Sequence, residues 1–433
     1  MKRMILALAL VVTSGFCATA QAVDQGLSAY NPAISVVLAG HAYYDNRDNE
    51  GPTILDRSST FANEGDEDLD QQSFNLDGSE LTFTSNVDPY FKAWLTATFE
   101  GGEVEVEEAW LQTLALPYGL RIKAGRFLSK IGYHNTHHKH QWDFIDQNLA
   151  YTALFHGEHL NGDGIQLTWL PATSNYWLVG IGVLQGEDLN GFGQSLDLDS
   201  QADRLGISKD ALGLDEHNGP NLFTAFVHFA PNMGTHQALQ LGLSAAWHRY
   251  QQNVFGLSPS GELVAAGETP SATLLAEGDA TLLGLQLVYK RFATDSYGTH
   301  GLEVVAEMFT AHSKEDGEFF GASPALPNDA ELRENVGYIK AAYGFAPRWQ
   351  FGLRHAVAGF GSHVKVAGNT LDIHSSRQDS AELTWNLSEF SHLHLQFSHN
   401  HVWPLADESG PEEFNQLLLS YVILIGAHPA HHF

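Results

Sequence analysis

Apolar and polar residues alternate with a period of two along most of this chain, as they do on the two faces of a β-strand. Most of the alternating segments are about 10–14 residues long, whereas strands of soluble proteins average ~5–6 residues and a tilted strand that spans a bilayer needs ~9–11. The pattern therefore predicts an all-β chain with strands of membrane-spanning length. We find sixteen segments, bounded by Gly, Pro, Asn, Asp or Ser: 34–45, 74–87, 90–100, 104–115, 119–127, 163–171, 175–185, 220–230, 237–250, 279–292, 298–311, 332–345, 347–359, 377–388, 391–403 and 413–426.

The connections between these segments alternate between long and short. Connections 46–73 and 186–219 are long, whereas 231–236 and 389–390 are short. An up-and-down barrel with short periplasmic turns and long external loops has this arrangement, and an even number of antiparallel strands leaves no unpaired edge. We predict a transmembrane antiparallel β-barrel of about sixteen strands. Aromatic residues near the strand ends are expected to form interfacial girdles: Tyr43, Tyr44, Trp94, Trp110, Trp169, Trp177, Trp247, Tyr250, Tyr289, Trp349 and Trp403.

The first 22 residues have the features of a cleavable secretory signal peptide, namely a basic start, an apolar run and Ala20-Gln21-Ala22. The barrel is therefore assigned to residues 23–433 and to the bacterial outer membrane, in contact with lipid and lipopolysaccharide. Cleavage would remove Cys17, the single cysteine, so the mature chain has no disulfide framework. It would also remove two basic residues and no acidic one, which leaves 20 basic against 51 acidic residues and a formal charge of −31. Such a charge excludes nucleic acid as a partner and attracts cations.

One long connection has an unusual composition. It spans 128–162, between the strand that ends at Phe127 and the strand that begins at Gly164, and it holds six of the chain's 23 histidines. A loop of this length inside a compact domain is usually functional or disordered, and functional residues concentrate on loops held by a rigid scaffold. Its aromatic and aliphatic residues indicate that it packs, so we predict an ordered, functional segment.

Two resemblances follow from these residues. The segment 74–127, with FNLDGSELTFTSNVDPYFKAWLTATF and LPYGLRIKAGRF, resembles the early hairpins of phosphate-selective-type, sixteen-stranded porins. In those porins a Gly-Arg/Gln-Phe strand end leads into a loop that folds into the barrel, so we expect 128–162 to fold inward. The stretches NPAISVVLAG, GYHNTHHKHQWDFIDQNLAY, GIQLTWLP and SYVILIGAHPAHHF are similar to a Gram-negative group described as zinc-regulated or TonB-dependent outer-membrane receptors. About eleven residues separate the predicted cleavage site from the first strand, so we expect a barrel without a plug domain.

Four histidines of the loop form the best candidate for a metal site: His134, His137, His138 and His140. Imidazole suits zinc, copper and nickel, and a turn or helical stretch would bring pairs of these side chains to one side. Asp143 or Asp146 would serve as a further ligand or as an acceptor behind a ligand. The alternative is a solvated histidine loop that binds metal only adventitiously. No cofactor is required, and zinc enters as a transported or loop-bound ion.

Charged residues around the loop are the candidates for the lining of a pore. Arg121 and Lys123 share one face of their strand, and a lipid-facing charge at mid-bilayer costs ~2–4 kcal/mol, so we expect them to face the lumen. A basic wall opposite an acidic loop would set selectivity by electrostatics; paired charges that only hold the loop are the alternative. The full predicted set is Arg121, Lys123, Arg126, Lys130, Glu105, Glu107, Asp143 and Asp146.

Together these observations predict a porin-like channel for passive uptake of small hydrophilic solutes, cations in preference, with zinc uptake through the histidine loop as the sharper hypothesis. No covalent chemistry is expected, although an enzyme would be built from pairs such as His392 or His394 with Ser380 or Ser398. A TonB-linked metal receptor and an adhesin are also compatible with an outer-membrane barrel. Because sixteen-stranded porins commonly trimerise, the porin resemblance implies a homotrimer.

Overall fold

The computed structural model describes residues 32–47, 54–55, 58–60, 72–100, 102–156, 159–186, 189, 191–265, 269–321, 326–406 and 410–426, so the predicted signal peptide lies outside it. Within these residues nineteen strands form one antiparallel sheet, and the pairing of the first strand with the last closes it. The strands are β1 (Ala33–Asp45), β2 (Ser73–Leu76), β3 (Ser79–Asn86), β4 (Phe91–Glu100), β5 (Glu103–Thr113), β6 (Leu120–Leu128), β7 (Asn161–Trp169), β8 (Tyr176–Leu184), β9 (Leu222–Ala230), β10 (Gln237–Leu257), β11 (Ala272–Arg291), β12 (Leu302–Gly321), β13 (Asp329–Ala346), β14 (Trp349–Ala358), β15 (His363–Val366), β16 (Asn369–Asp372), β17 (Ser376–Ser388), β18 (Ser391–Val402) and β19 (Glu412–Gly426).

Sixteen of these strand positions encircle the barrel, as predicted. β2 and β3 are one barrel strand interrupted at Asp77 and Gly78, since both pair with β1. β15 and β16 form a hairpin, and β15 pairs with the first residues of β13, outside the stretch of β13 that pairs with β14. In the barrel wall β14 pairs directly with β17. The fold is therefore a closed, sixteen-stranded, antiparallel β-barrel.

Exposure alternates along the strands, which separates an apolar outer face from a polar inner face. In β19, Leu417 and Leu419 are 47% and 52% exposed, while Gln416 and Ser420 beside them are buried. A hydrocarbon environment accepts the first set of side chains, and an enclosed polar lumen accepts the second. A strand with this alternation, such as β19, is thus suited to span a bilayer.

The barrel is taller on one side. Strands β10 to β13 are 18 to 21 residues long, about twice the ~9–11 residues that a spanning strand needs. Their extensions point toward the end that carries the long connections, whereas tight turns such as 389–390 lie at the opposite end. The predicted alternation of long and short connections is therefore confirmed.

Two α-helices are described, and both lie in long connections: α1 (Leu149–Phe155) follows β6, and α2 (Leu198–Leu205) follows β8. Asn148 caps α1 by accepting a hydrogen bond from the Tyr151 amide at 3.2 Å, which fits the preference for Asn at this position. Among the described residues, no helix is both long and apolar enough to cross a bilayer. All seven residues of α1 are buried, because the loop that carries this helix packs inside the barrel.

Candidate functional site

The connection between β6 and β7 crosses the interior of the barrel, as expected for residues 128–162. After β6 it forms two 3-10 turns, His134–Thr136 and Lys139–Gln141, and then α1. Its apolar side chains join a buried cluster with residues of the barrel wall, among them Phe309 of β12. We call residues 129–160 the inward loop; its described part contacts strands on opposite sides of the barrel.

On one side, Glu307 of β12 holds the start of the inward loop. Its carboxylate accepts hydrogen bonds from the backbone amides of Tyr133 at 2.5 Å and His134 at 3.1 Å. It also accepts from the hydroxyls of Tyr151 and Tyr338. Four donors on one buried carboxylate fix the turn, because charged acceptors make the stronger hydrogen bonds.

Gly132 is required in this turn. Its backbone has φ +82°, and a Cβ at this position would lie 2.6 Å from Glu307 Oε1. A residue with a side chain would therefore be strained by its backbone and would also collide with the carboxylate.

Farther along, two acidic residues of the inward loop pair with basic residues of the wall. Asp143 lies 2.5 Å from Lys340 of β13, and Asp146 lies 2.5 Å from Arg354 of β14. Burial disfavours the ionised form of Asp143, but the Lys340 ammonium outweighs it and holds the pKa of Asp143 below its ordinary value. These two carboxylates were predicted to face a basic wall on β6. The structure pairs them with β13 and β14, so they hold the loop in place.

Histidines of the inward loop meet an acidic wall on the other side of the barrel. His138 Nδ1 lies 3.0 Å from Glu107 Oε1, and its Nε2 lies 3.2 Å from Glu108 Oε2, both on β5. His140 Nδ1 lies 2.7 Å from Glu80 Oε1 on β3. Glu80, Glu107 and His138 bring ligand atoms within 4.8 Å of one another. Glu80 and Glu108 were missed in the sequence because neither stands in a metal-binding motif.

The other two predicted metal ligands lie apart from this cluster. His134 Nε2 is 2.5 Å from Gln147 Oε1, and its ring packs on Trp142 with centroids 4.6 Å apart. His137 Nδ1 lies 2.8 Å from the carbonyl oxygen of Tyr133, to which it donates a hydrogen bond. Burial lowers the pKa of His137 to about 3 and, with Lys340 nearby, lowers the pKa of His134 well below its usual range. A single four-histidine site is therefore not formed.

The predicted basic residues divide between the two faces of the barrel. Arg121, Lys123 and Lys130 line a polar cavity in the lumen. Arg126 is placed on the outer face, where its guanidinium lies 2.8 Å from Asp163, so its assignment to the pore was wrong. The reason is strand parity: Arg126 pairs with Ala109, whereas Lys123 pairs with Gln112 on the inner face.

A β-bulge in β5 changes which of its residues face the lumen. Thr96 is opposite Glu108 but Ala97 is opposite Val106, so Glu107 is the extra residue. A bulge re-aims side chains, and here both Glu107 and Glu108 point into the lumen. Glu105 shares this inner face, because it lies opposite Thr98, whose hydroxyl donates to Glu107.

Two tryptophans also face the lumen: Trp94 shares the inner face of β4 with Thr96, and the bulge in β5 turns Trp110 inward. Trp94 and Trp110 stack with ring centroids 5.6 Å apart, and Lys123 Nζ lies 4.4 Å from the Trp110 centroid. Their predicted place in an interfacial girdle was wrong. Tyr43 is also buried, with its hydroxyl donating to Asp45. Several aromatic residues of the predicted girdle are exposed on the outer face: Tyr44, Trp169, Trp177, Trp247 and Trp349.

The inward loop borders two polar spaces within the barrel. The first, of about 260 Å³, is lined by His137, His138 and His140 of the loop together with Glu80 and Glu108 and with basic residues of the wall. The second, of about 200 Å³, lies against His134, His137 and Asp143 and the wall residues Lys290, Glu303 and Lys340. Tyr133, His137 and Gln141 border both spaces, so this part of the loop divides the lumen.

The candidate hydrolase pairs are not assembled. Ser380 Oγ and Ser398 Oγ are 2.8 Å apart and contact Arg354 and Gln396. His394 Nδ1 instead lies 2.7 Å from Glu382 Oε1. A serine nucleophile needs an imidazole within hydrogen-bonding reach, and the contacts of these side chains do not provide one.

Comparison with known proteins supports the architecture. No family model matches the chain. An uncharacterized protein of Aquifex aeolicus is 29% identical over 368 residues, which cover 84% of this chain and 71% of that protein. Pseudomonas putida OprB superposes with a TM-score of 0.50 at 9% identity, over 92% of this chain and 94% of that one.

Two further solved barrels are similar. The outer membrane channel DcaP of Acinetobacter baumannii gives a TM-score of 0.49 at 10% identity, over 91% of this chain and 97% of DcaP. OmpT of Vibrio cholerae gives 0.49 at 10% identity, over 92% of this chain and 98% of OmpT. At such identities a likeness concerns the fold alone. The resemblance to zinc-regulated, TonB-dependent receptors is not supported by these comparisons.

Proposed function

We propose that this protein is a porin-like outer-membrane channel through which small hydrophilic solutes diffuse passively, with the inward loop as its constriction. The observation that carries the proposal is the loop itself, held across the lumen of a sixteen-stranded barrel by Glu307, Lys340 and Arg354 on one side and by glutamates on the other. A barrel of sixteen strands is wide enough for an aqueous channel. Because the inward loop is anchored on both sides, it narrows the lumen as a fixed segment.

We further propose that the channel favours cations. The mature chain carries a formal charge of −31, which raises the local concentration of cations at its mouths. Inside the constriction Glu80, Glu107 and Glu108 stand near Lys123 and Lys130, so charges of both signs face the permeating ion. Such a mixed lining is expected to give modest selectivity.

Single-channel recording in a planar bilayer, with reversal potential measured in a salt gradient, tests the proposal. We expect discrete conductance steps and a cation-selective reversal potential. Lys123→Gln removes a lumen charge and should shift the reversal potential toward stronger cation preference. Arg126→Gln, three residues along the same strand but on the outer face, is the matched control and should leave the potential unchanged.

Absence of conductance in correctly folded protein would overturn the proposal of a channel. An energised receptor or an adhesin would then be the better interpretation. An anion-selective reversal potential would overturn the cation preference alone. Three further points stay predictions: the chain contacts lipopolysaccharide, forms a homotrimer and is not an enzyme. Chemical cross-linking in outer membranes would test the homotrimer. The apolar outer face supports the assignment to the membrane.

A further inference from the structure

Two side chains of the barrel wall converge with one side chain of the inward loop. Glu80 comes from β3, Glu107 from the bulge of β5 and His138 from the stretch between the two 3-10 turns. The residues Glu80 and His138 are 6% and 5% exposed. Glu107 reaches the cluster because the bulge adds one residue to β5; a regular strand would turn either it or Glu108 outward.

Two polar atoms of this cluster are buried without a hydrogen-bond partner, namely His138 Nδ1 and Glu80 Oε2. They lie 3.8 Å apart, and His138 Nδ1 lies 3.0 Å from Glu107 Oε1 without the angles of a hydrogen bond. Buried polar atoms are almost always satisfied, so each exception requires an explanation. Together with Glu107, these residues offer three ligand atoms that lie within 4.8 Å of one another.

The spacing of these atoms matches a metal coordination sphere. Zinc bonds to nitrogen and carboxylate oxygen at ~2.0–2.2 Å, and tetrahedral geometry then separates neighbouring ligand atoms by about 3.3–3.6 Å. The separations of 3.0 and 3.8 Å from His138 Nδ1 bracket that range. Two carboxylates would balance the charge of a divalent ion.

The remaining polar atom of each side chain is held from behind. His138 Nε2 lies 3.2 Å from Glu108 Oε2, Glu80 Oε1 lies 2.7 Å from His140 Nδ1, and Glu107 Oε2 accepts from the Thr98 hydroxyl at 3.1 Å. Ligating histidines almost always donate their second nitrogen to a carboxylate or carbonyl group, which fixes the tautomer and orients the ring. The cluster therefore has both the ligand atoms and the supporting contacts of a metal site.

We propose that Glu80 Oε2, Glu107 Oε1 and His138 Nδ1 bind a divalent transition-metal ion of the zinc class, with a water molecule from the lumen as the fourth ligand. Glu80 and His138 border the cavity of about 260 Å³, which supplies that water and a path for the ion. An open fourth position is typical of sites that exchange a ligand. Calcium and magnesium, which take six or more oxygen ligands, do not fit one nitrogen and two oxygens.

This inference rests on the proposed function, because it gives the constriction of the channel a cation-binding site. It differs from the four-histidine site expected from the sequence, since His134 and His137 have no part in it. The site needs two glutamates from the barrel wall.

Metal binding is measured on the full-length protein folded in detergent micelles, freed of metal with a chelator, without any channel recording. Titration with Co²⁺ should give the intense visible absorption of a tetrahedral site, and Zn²⁺ should displace it at one ion per chain. Glu80→Gln, Glu107→Gln and His138→Ala should each weaken Co²⁺ binding by at least about 100-fold, since loss of supporting residues alone costs ~10–100-fold. Ca²⁺ should not displace Co²⁺.

Two variants serve as controls. His394→Ala removes a lumen histidine that pairs with Glu382, and His137→Ala removes the neighbour of the ligand; both should leave the cobalt spectrum unchanged. Equal binding by wild type and Glu107→Gln, or loss of binding in His137→Ala, would overturn the proposal. Glu107→Gln is isosteric, so circular dichroism is expected to show a native barrel. A closed channel that still binds Co²⁺ would refute the proposed function and leave the metal site standing.

Discussion

The pair formed by Asp146 on the inward loop and Arg354 on β14 allows a quantitative test of how the loop is held. The two side chains are 18% and 2% exposed, with Arg354 Nη2 2.5 Å from Asp146 Oδ1. The change considered is the isosteric Asp146→Asn. Removing one partner of a buried pair costs about 3–5 kcal/mol because the other charge is left uncompensated. Arg354 keeps neutral acceptors in Gln378 and Ser380, so we expect the lower end, about 3 kcal/mol.

Hydrogen exchange of the peptide that contains Ile145 measures this loss. The Ile145 amide donates to Gln396 Oε1, and Gln396 Nε2 donates to Asp146 Oδ1, so the amide depends on the same anchor. A loss of about 3 kcal/mol in local opening free energy corresponds to exchange faster by roughly 100-fold. The His134 amide, held by Glu307 at the other end of the loop, is an internal control and should change by less than about threefold.

A double variant separates the charge effect from lost contacts. In Asp146→Asn with Arg354→Gln the uncompensated cation is gone, so Ile145 should exchange more slowly than in Asp146→Asn alone. If exchange at Ile145 in Asp146→Asn stays within about threefold of wild type, the ion pair does not hold this part of the loop. If the free-energy losses of the two single changes simply add, the two side chains are not coupled.

Two further predictions concern the lumen. Because Trp94 and Trp110 lie in the lumen, replacing either with Phe should lower the fraction of fluorescence that water-soluble acrylamide quenches. Trp169→Phe should instead lower quenching by brominated lipids, and the reverse pattern would show that Trp94 and Trp110 face the membrane interface. The pKa of His134 is lowered in the native loop, so the opened loop binds a proton more readily than the native loop. Acidification below about pH 6.5 should therefore destabilise the wild-type loop more than the loop of His134→Gln. Hydrogen exchange, corrected for its intrinsic pH dependence, measures the difference, and parallel pH profiles would contradict this prediction.

The sequence by itself determined the architecture. A period-two pattern in sixteen segments of bilayer length requires strands with one apolar face, and alternating connection lengths require neighbours joined up and down. Both signals are local along the chain, so they can be read without knowing which residues meet in space. The inward course of the histidine loop followed from the porin resemblance, while its cluster of apolar residues indicated that it packs.

The tertiary structure alone decided the partners of the loop. Asp143 and Asp146 meet β13 and β14, and His138 meets β5, because a loop that enters a barrel contacts strands far away in sequence. The tertiary structure also decided which residues of β5 face the lumen. One extra residue in β5 brings Glu107 and Glu108 to the same face and carries Trp110 inward, and alternation in the sequence cannot show a bulge, since a bulge exists only between paired strands.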